Sequence, residues 1–490
     1  MLFTSGTRAR DDRGASGRER RKPRFETLEE RRLLNASPLF DVPTVETALV
    51  SEAVPSSHIV PGLQSLDESL EIALRQAGQN PSALSQNFVF NLNSDPNSNK
   101  TIYLDFNGHT YTGSSWNNGA KITVPPFDTD GNASTFSNAE LRLIYEIWAR
   151  VAEDYAPFEV NVTTKAPSAD QLTKTPNIND ETYGIRVAVG GSCNDWYVKT
   201  GTKSGVAEIG SFNASTDVPC FVWSKTLAQA GYQYFGAQVA DSVSHEVGHS
   251  LGLAHDGKGS EEYYLGADGW APLMGAAGVQ PLSIWSNGDY DGATNREDDL
   301  AVIVANNGFG YRDDDCGDSF DQAQRLTFSA SGNLGSGTIE RNTDVDFFSF
   351  ALNGEASTLV VGGLRGLTNL DALVKIYDSN RELVGTYDPK ESLYVRVDLT
   401  NFAPGEYYMS VEGTGLIRYG ELIYSDYGSL GAYAISTIPT ASAPGLSEPN
   451  DNMTDAYPLG PIAGTKVFTS KIDRADDEED RKSTRLQSPQ

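Results

Sequence analysis

Hydrophobic residues follow an alternating strand and helix pattern over residues 98–312 of this 490-residue chain. Thr101–Phe106 is an apolar run of strand length, whereas Phe158–Val162 and Ile185–Val189 alternate apolar with polar side chains. All three predict strands, and a stretch of helical period lies between the first and the second. We therefore expect an α+β region in which helices pack on a twisted sheet.

Three helices are expected in this region. Ser137 and Glu140 have the spacing of a capping box, and apolar residues recur on one helix face from there to Val151. Asp298–Asn307 predicts a last helix that closes the region. The helix between them is predicted by an apolar residue at every fourth position, at Val239, Val243, Val247 and Leu251.

The pattern changes after residue 312, where short apolar or alternating runs are separated by Gly, Asn and Asp. Strands at this spacing are typical of an all-β sandwich, which we place at residues 313–440. The six runs are Asp346–Ala351, Thr358–Gly362, Ala372–Tyr377, Leu393–Leu399, Glu406–Val411 and Ala432–Thr437.

One twelve-residue segment carries most of the candidate chemistry. Residues 245–256 read HEVGHSLGLAHD and contain three of the five histidines of the chain. On an α-helix, His245 and His249 project from the same face and can bind one metal ion. Gly252 can adopt the positive φ that ends a helix, and the returning chain can then supply His255 as a third ligand.

This donor set predicts a catalytic zinc site. Three histidines leave the fourth zinc position for water, whose pKa zinc lowers to about 7. Glu246 lies on the same helical turn and can take the proton of that water as it attacks a carbonyl carbon. The expected reaction is hydrolysis of a peptide bond. A structural zinc site is disfavoured, because such sites fill all four positions and prefer cysteine.

The whole HExxHxxGxxHD string resembles the metzincin zinc endopeptidases. Asp256 directly follows the third histidine, and an aspartate at this position resembles the reprolysin or adamalysin branch. The resemblance implies that His245, His249 and His255 are zinc ligands and that Glu246 is the general base.

Residues 271–275 (APLMG) resemble the Met-turn of the same family, the hydrophobic floor under the metal. The resemblance implies this role for Met274. No tyrosine follows Met274 closely. We therefore do not expect the tyrosine with which some metzincins stabilise the transition state or add a ligand.

The phrases DVDFFSF, APGEYYMSVEG and YSDYGSLGAYAIS, all within residues 313–440, resemble the bacterial pre-peptidase C-terminal domain. That domain is a small β-module appended to secreted proteases. The resemblance implies that carboxylates hold calcium, with Asp344 and Asp346 as candidates. Loop acids that bind no ion are the alternative.

Part of this module recurs at a constant offset of 133 residues, for example Asp318 as Asp451 and Ile339 as Ile472. The repeat predicts the start of a second module at 446–490, without its core strand. The closing DRKSTRLQSPQ resembles translated sequencing-adapter sequence. We therefore expect a truncated module whose last residues are artefactual.

Charge narrows the range of partners. The chain has 38 basic and 66 acidic side chains, a formal net charge of −28. Residues 1–32 hold ten basic and six acidic side chains, so the remainder carries −32. This negative charge argues against nucleic-acid binding and is compatible with calcium binding or with a saline medium outside the cell. The alternative is that the acidic side chains only keep the surface soluble. No apolar run reaches the roughly 18 residues of a membrane span.

The N-terminal residues suggest export. The basic N-terminal segment, residues 1–32, lacks the apolar run of an ordinary signal peptide. Arg24–Ser37 (RFETLEERRLLNAS) instead resembles a signature near the N-termini of exported surface proteins of planctomycete bacteria. The resemblance implies an export segment at 1–37, an extracellular or cell-surface location and attachment to the cell surface. Residues 38–97, rich in Ser, Pro and Asn, are expected to be an irregular linker or a propeptide.

Three cysteines occur in the chain. Cys193 and Cys220 both lie in the region 98–312, and we expect them to form a disulfide if the exterior is oxidising. Cys316 is then left over near the boundary between the two regions.

Two functions remain open at this point. The first is an exported zinc endopeptidase that acts on a protein or peptide substrate. The second is a surface adhesion or binding protein whose protease-like domain has lost catalysis. The intact set of Glu246 and three histidines favours the first, because loss of catalysis would be expected to leave gaps in it.

Overall fold

The computed structural model describes residues 25–27, 70, 84–177, 179–197, 203–229, 235–276, 280–328, 333–354, 357–363 and 367–439. The predicted segments 1–37 and 38–97 lie outside the described residues except for 25–27, 70 and 84–97. The predicted second module at 446–490 lies wholly outside them.

Helices occur before the boundary at residue 312. They are α1 Gln86–Val89, α2 Asn138–Asp154, α3 Ser224–Gln229, α4 Phe235–Leu251 and α5 Asp299–Asn306. Short 3-10 turns lie at Asn117–Gly119, Ala169–Leu172, Cys193–Asp195 and Leu399–Asn401.

Strands run through both regions. Those before residue 312 are β1 Phe25–Thr27, β2 Lys100–Asp105, β3 His109–Tyr111, β4 Ile122–Val124, β5 Asn161–Thr163, β6 Tyr183–Val189, β7 Gly205–Glu208, β8 Cys220–Val222, β9 Trp270–Pro272 and β10 Leu282–Ile284. Those after it are β11 Gln324–Arg325, β12 Asn333–Ile339, β13 Asp346–Leu352, β14 Ser357–Gly362, β15 Ala372–Asp378, β16 Leu383–Tyr387, β17 Val395–Asp398, β18 Gly405–Gly413, β19 Leu416–Arg418, β20 Glu421–Tyr424 and β21 Gly431–Pro439.

The first region is built on a six-stranded sheet of order β1-β7-β8-β6-β2-β5. Strands β8, β6, β2 and β5 are parallel, whereas β7 runs antiparallel to β8 and β1 antiparallel to β7. Helices α2 and α4 share one buried cluster with one face of this sheet. The predicted α+β region is confirmed.

Local signals explain where the helices begin and end. Ser137 accepts a hydrogen bond from the Glu140 N–H, and the Glu140 carboxylate accepts one from the Ser137 N–H, so the predicted capping box is confirmed. Helix α4 ends at Leu251, because Gly252 adopts a φ of 116° that ordinary side chains avoid. Asp298 caps α5 through the Ala301 N–H.

The predicted disulfide is wrong. Cys193, Cys220 and Cys316 are all free and buried. Consecutive side chains of a strand point to opposite faces, and Cys220 packs on the helix side of β8 while Phe221 packs on the other. Cys193 belongs to the cluster on the Phe221 side. The sheet therefore separates the two thiols.

After residue 312 the described chain forms a sheet-rich module. One sheet has the order β11-β13-β18-β15-β16 and the other β12-β21-β14-β17. All six predicted runs form strands, and β11, β12, β16, β19 and β20 are additional. Inward residues of both sheets, such as Phe348 and Tyr433 with rings 6.3 Å apart, belong to one buried cluster. In the described part of the chain, no helix is long and apolar enough to cross a membrane.

The module docks on the end of α2. The Asn369 side-chain amide donates to the Asp154 carboxylate over 2.7 Å, and the Asn369 N–H donates to the Glu153 carboxylate over 3.4 Å. Asp154 is buried and Glu153 is half-buried. Desolvation raises the pKa of Glu153 to about 7, although backbone hydrogen bonds from Asn369 and Ala432 oppose this. Burial raises the pKa of Asp154 as well, and the nearby Asp241 adds to the rise.

This contact predicts a pH-dependent stability. A carboxyl whose pKa is higher in the folded than in the unfolded chain stabilises the fold below its unfolded pKa, and the stabilisation is lost as the pH rises through the folded value. For Glu153 the loss falls between pH 4.5 and about 7. We expect Glu153→Gln to be more stable than wild type at pH 8, by on the order of 3 kcal/mol, and similar at pH 5. Thermal unfolding at both pH values tests this, and an equal difference at pH 5 and pH 8 would contradict it.

Candidate metal centre

Three histidines converge at the C-terminal end of α4, of which His245 and His249 are buried and His255 is half-buried. Their rings lie 4.7 Å apart for His245 and His249, 4.7 Å for His249 and His255, and 5.4 Å for His245 and His255. One ligand atom from each lies within 4.8 Å of the others. The structure thus brings together the three ligands that the sequence predicts.

Each ring is held by a hydrogen bond at its other nitrogen. The Nδ1 atoms lie 2.9 Å from the Leu273 carbonyl for His245, 2.9 Å from the Leu253 carbonyl for His249, and 2.9 Å from the Glu262 carboxylate for His255. An oxygen acceptor keeps the proton on Nδ1, which leaves the lone pair of Nε2 for a metal.

The protonation state of the cluster suits a metal ion. Burial first, and the neighbouring His255 second, lower the pKa of His249 to about 3, so this ring is neutral at physiological pH. The Nε2 atoms of His249 and His255 lie 3.0 Å apart. Three histidine nitrogens that come together in this way are the donor set typical of catalytic zinc sites.

Helix termination delivers the third ligand. The N–H groups of Gly252 and Leu253 both donate to the Gly248 carbonyl, at 3.1 and 3.0 Å, so the chain folds back over the last turn. The Leu253 carbonyl then faces His249, and His255 follows two residues later. The predicted turn at Gly252 therefore both ends α4 and orients two ligands.

Met274 lies against α4 at Gly248, the residue before His249. It is fully buried, and a Cβ on Gly248 would lie 2.5 Å from its sulfur, so glycine at this position lets the sulfur lie close to the helix backbone. The Asp256 N–H donates to the Met274 carbonyl over 2.9 Å. This hydrogen bond holds the segment after the third histidine against the Met-turn.

Asp256 is not among the residues whose ligand atoms come together in the histidine cluster. Its carboxylate is buried and accepts a hydrogen bond from the Asn295 side chain over 3.2 Å. Burial raises the pKa of Asp256 to about 7.

Glu246 is buried beside the ligands and lies under the edge of the sheet. A Cβ on Gly205, in strand β7, would be 2.4 Å from a carboxylate oxygen of Glu246. Glycine at this position therefore leaves room for the carboxylate. The Glu246 carbonyl also approaches the Cys220 thiol at 3.5 Å, which anchors α4 to β8.

Two functional residues were missed in the sequence. Glu262 accepts the Nδ1 proton of His255, and the Tyr263 ring lies 4.3 Å from the ring of His255. No tyrosine was expected near the metal, because only the residues after Met274 were considered. The EEYY run that begins six residues after His255 was the available signal.

The bond from Glu262 to His255 predicts an effect on metal affinity. Partners that orient a ligating histidine typically contribute about 10–100-fold to metal affinity. We expect Glu262→Gln to raise the zinc dissociation constant about tenfold, measured by competition with a chromogenic chelator. The neighbouring Glu261→Gln is the matched control, because Glu261 is also exposed. Equal affinities for the two variants would contradict this role of Glu262.

The two calcium candidates lie in neighbouring acidic groups of the module. Asp344 groups with Asp314 and Glu340, and Asp346 groups with Asp315 and Cys316. Burial raises the pKa of Glu340 to about 9 and of Asp346 to about 8, and adjacent acids contribute in both cases.

No curated protein matches the chain. Among solved structures, the chain is similar to the pre-peptidase C-terminal domain of collagenase from Bacillus anthracis, at 14% identity and a TM-score of 0.17, over 24% of this chain and 94% of that chain. It is also similar to PliG of Aeromonas hydrophila, a periplasmic inhibitor of g-type lysozyme, at 15% identity and a TM-score of 0.16, over 24% of this chain and 96% of that chain.

The family comparison concerns the segment that builds the histidine cluster. Residues 137–256 match the model of the reprolysin-like metallopeptidases of family M12B. The match runs from the cap of α2 through α4 to the acid that follows the third histidine. The predicted resemblance to the reprolysin branch is therefore confirmed for residues 137–256.

Proposed function

We propose that this protein is an exported zinc endopeptidase that cleaves peptide bonds of protein substrates outside the cell or at its surface. The observation that carries the proposal is the convergence of three Nε2 atoms, each fixed through its Nδ1 partner, beside the buried Glu246. The acidic composition and the export-type signature at Arg24–Ser37 support the location.

The residues of the chain divide the chemistry between them. Zinc, when bound, supplies a Lewis acid that polarises the scissile carbonyl and makes water acidic at neutral pH. Glu246 takes one proton from the attacking water as its oxygen bonds to the carbonyl carbon. Glu246 then gives that proton to the leaving amine nitrogen as the C–N bond breaks. His245, His249 and His255 would hold the ion.

Strand β7 offers a place for an extended substrate. It lies toward the edge of the sheet, and its Gly205 adjoins Glu246. Its outer edge pairs antiparallel with the three residues Phe25–Thr27. We propose that a peptide substrate adds to this edge as a strand in place of Phe25–Thr27, because main-chain hydrogen bonds to a sheet edge bind extended peptides of many sequences.

The alternative is a binding protein with an inactive protease-like domain. The full chain distinguishes the two when its zinc content and its cleavage of unfolded casein are measured together. One zinc per chain with cleavage that a chelator abolishes and added zinc restores would establish the endopeptidase. One zinc without cleavage would favour the binding protein, and no zinc would reject both the enzyme and its metal site.

We further propose that the sheet-rich module is a pre-peptidase C-terminal sandwich that holds calcium between its acidic groups. Buried oxygens of Glu340, Asp344 and Asp346 have no hydrogen-bond partner among the described residues. Calcium takes six to eight oxygen ligands, and buried carboxylates without donors suit it.

Calcium is accordingly expected to stabilise the chain against heat. A ligand that binds only the folded state adds about 2.7 kcal/mol at a hundredfold excess over its dissociation constant. We expect added calcium to raise the unfolding temperature of the zinc-loaded protein, and Asp346→Asn to remove most of that shift. Asp321→Asn, at an exposed acid of the same module, should keep it. An unfolding temperature that calcium leaves unchanged in wild type would refute the site.

A further inference from the structure

The C-terminal module packs against the segment that carries the Met-turn. Leu416 of β19 and Tyr424 of β20 share a buried cluster with Trp270 of β9 and with Leu282 and Ile284 of β10. The ring of Tyr424 lies 6.0 Å from that of Trp270, and Tyr424 is 5% exposed. Side chains of the module therefore line the far side of the β9–β10 pair.

The same pair of strands positions a metal ligand. Leu273 directly follows β9, and its N–H donates to the Ile284 carbonyl of β10 over 2.8 Å. The Leu273 carbonyl in turn accepts from His245 Nδ1 over 2.9 Å. Met274, the next residue, underlies α4 at Gly248. A displacement of β9 or β10 would therefore move both the acceptor that orients His245 and the floor of the site.

Two more contacts join the module to the residues that follow β10. A Cβ on Gly428 would lie 2.2 Å from the Trp285 carbonyl, so the module backbone touches the residue that follows β10. The Tyr427 hydroxyl donates to the Asp298 carboxylate over 2.6 Å and accepts from the Leu300 N–H over 2.8 Å. The module thus also caps the first turn of α5.

We infer that the C-terminal module is a structural part of the metal centre. By packing Tyr424 and Leu416 on β9 and β10, it fixes the Leu273 carbonyl and Met274, so the affinity for zinc depends on a residue of another domain. Tyr424 is a positioning residue, and the unit that works as a peptidase extends to residue 439. The inference rests on the proposed function only in taking zinc as the ion.

The hairpin of β19 and β20 supplies a matched pair of variants. Tyr424 is buried against Trp270, whereas Tyr419, at the tip of the same hairpin, is 100% exposed. In the metal-free full chain, we expect Tyr424→Ala to speed hydrogen–deuterium exchange of residues 271–276 about tenfold relative to Tyr419→Ala. The zinc dissociation constant of Tyr424→Ala should rise about tenfold, as for the loss of a partner that orients a ligand. Tyr424→Phe keeps the ring and should stay within about twofold of wild type.

Equal exchange at 271–276 and equal zinc affinity in the two alanine variants would overturn the inference. If Tyr424→Ala does not fold, Leu416→Val trims the same cluster by one methylene and should raise the zinc dissociation constant about threefold, and an unchanged value would count against it. If wild type binds no zinc, the proposed function fails, while the exchange of the metal-free chain still decides the role of the module.

Discussion

Replacing Glu246 with glutamine is expected to leave about one zinc per chain while it lowers kcat/KM by roughly 10³-fold. Glutamine has nearly the same shape, so it fits the space beneath Gly205, but its amide cannot accept the proton of the attacking water. General bases of this kind contribute about 10²–10⁴-fold to the rate. Because Glu246 is beside the ligands and is not one of them, the metal should remain.

The measurement pairs metal analysis with cleavage of a quenched fluorescent peptide. Glu246→Asp is the informative companion, because it keeps a carboxylate but moves it back by about one methylene, and an intermediate rate is expected. Near wild-type turnover by Glu246→Gln would remove Glu246 from the mechanism. Loss of zinc in that variant would instead place the carboxylate among the ligands.

The sequence predicted the parts of the site that depend on short-range spacing. His245 and His249 are one helical turn apart, and Gly252 has the positive φ that returns the chain to His255. Each of these positions follows from helix geometry and from the conformational freedom of glycine. Met274 was also placed from its local motif, and it lies under α4 at Gly248.

The contacts that come from distant parts of the chain were not predictable in this way. Gly205 lies 41 positions before Glu246, on a four-residue strand whose pattern resembles a loop. The contact between Tyr424 and Trp270 joins segments 154 positions apart in the chain. No periodicity in one sequence reveals such pairs, because they depend on how whole elements pack.

The prediction of a disulfide was wrong for a related reason. Cys193 and Cys220 are close in sequence and lie in the same domain, which made a pair plausible. A strand alternates its side chains between two faces, so the face on which Cys220 lies depends on its register in β8. That register puts its thiol against α4 and leaves Cys193 on the opposite side of the sheet. The strands β12 and β16 were missed because one is rich in glycine and the other exposes Leu383 and Val384.

Replacing His249 with alanine is expected to remove both the zinc and the activity. His249 is the central ligand, with rings of the other two histidines at 4.7 Å, and its Nδ1 is held by the Leu253 carbonyl. Without it two imidazoles remain, which is fewer than the three protein ligands typical of catalytic zinc. The increase in unfolding temperature that zinc gives the wild type should also disappear, because that increase requires binding to the folded state.

His109→Ala is the matched control for this loss. His109 is also a partly buried histidine, but it lies on β3 beside Asp105, 3.9 Å from that carboxylate. The control should keep one zinc and wild-type cleavage, even if its unfolding temperature falls. Full zinc occupancy in His249→Ala, at a zinc concentration that saturates wild type, would show that the three histidines are not the ligand set. Loss of zinc in both variants would instead mean that zinc binding depends on the stability of the fold, because His109 does not belong to the histidine cluster.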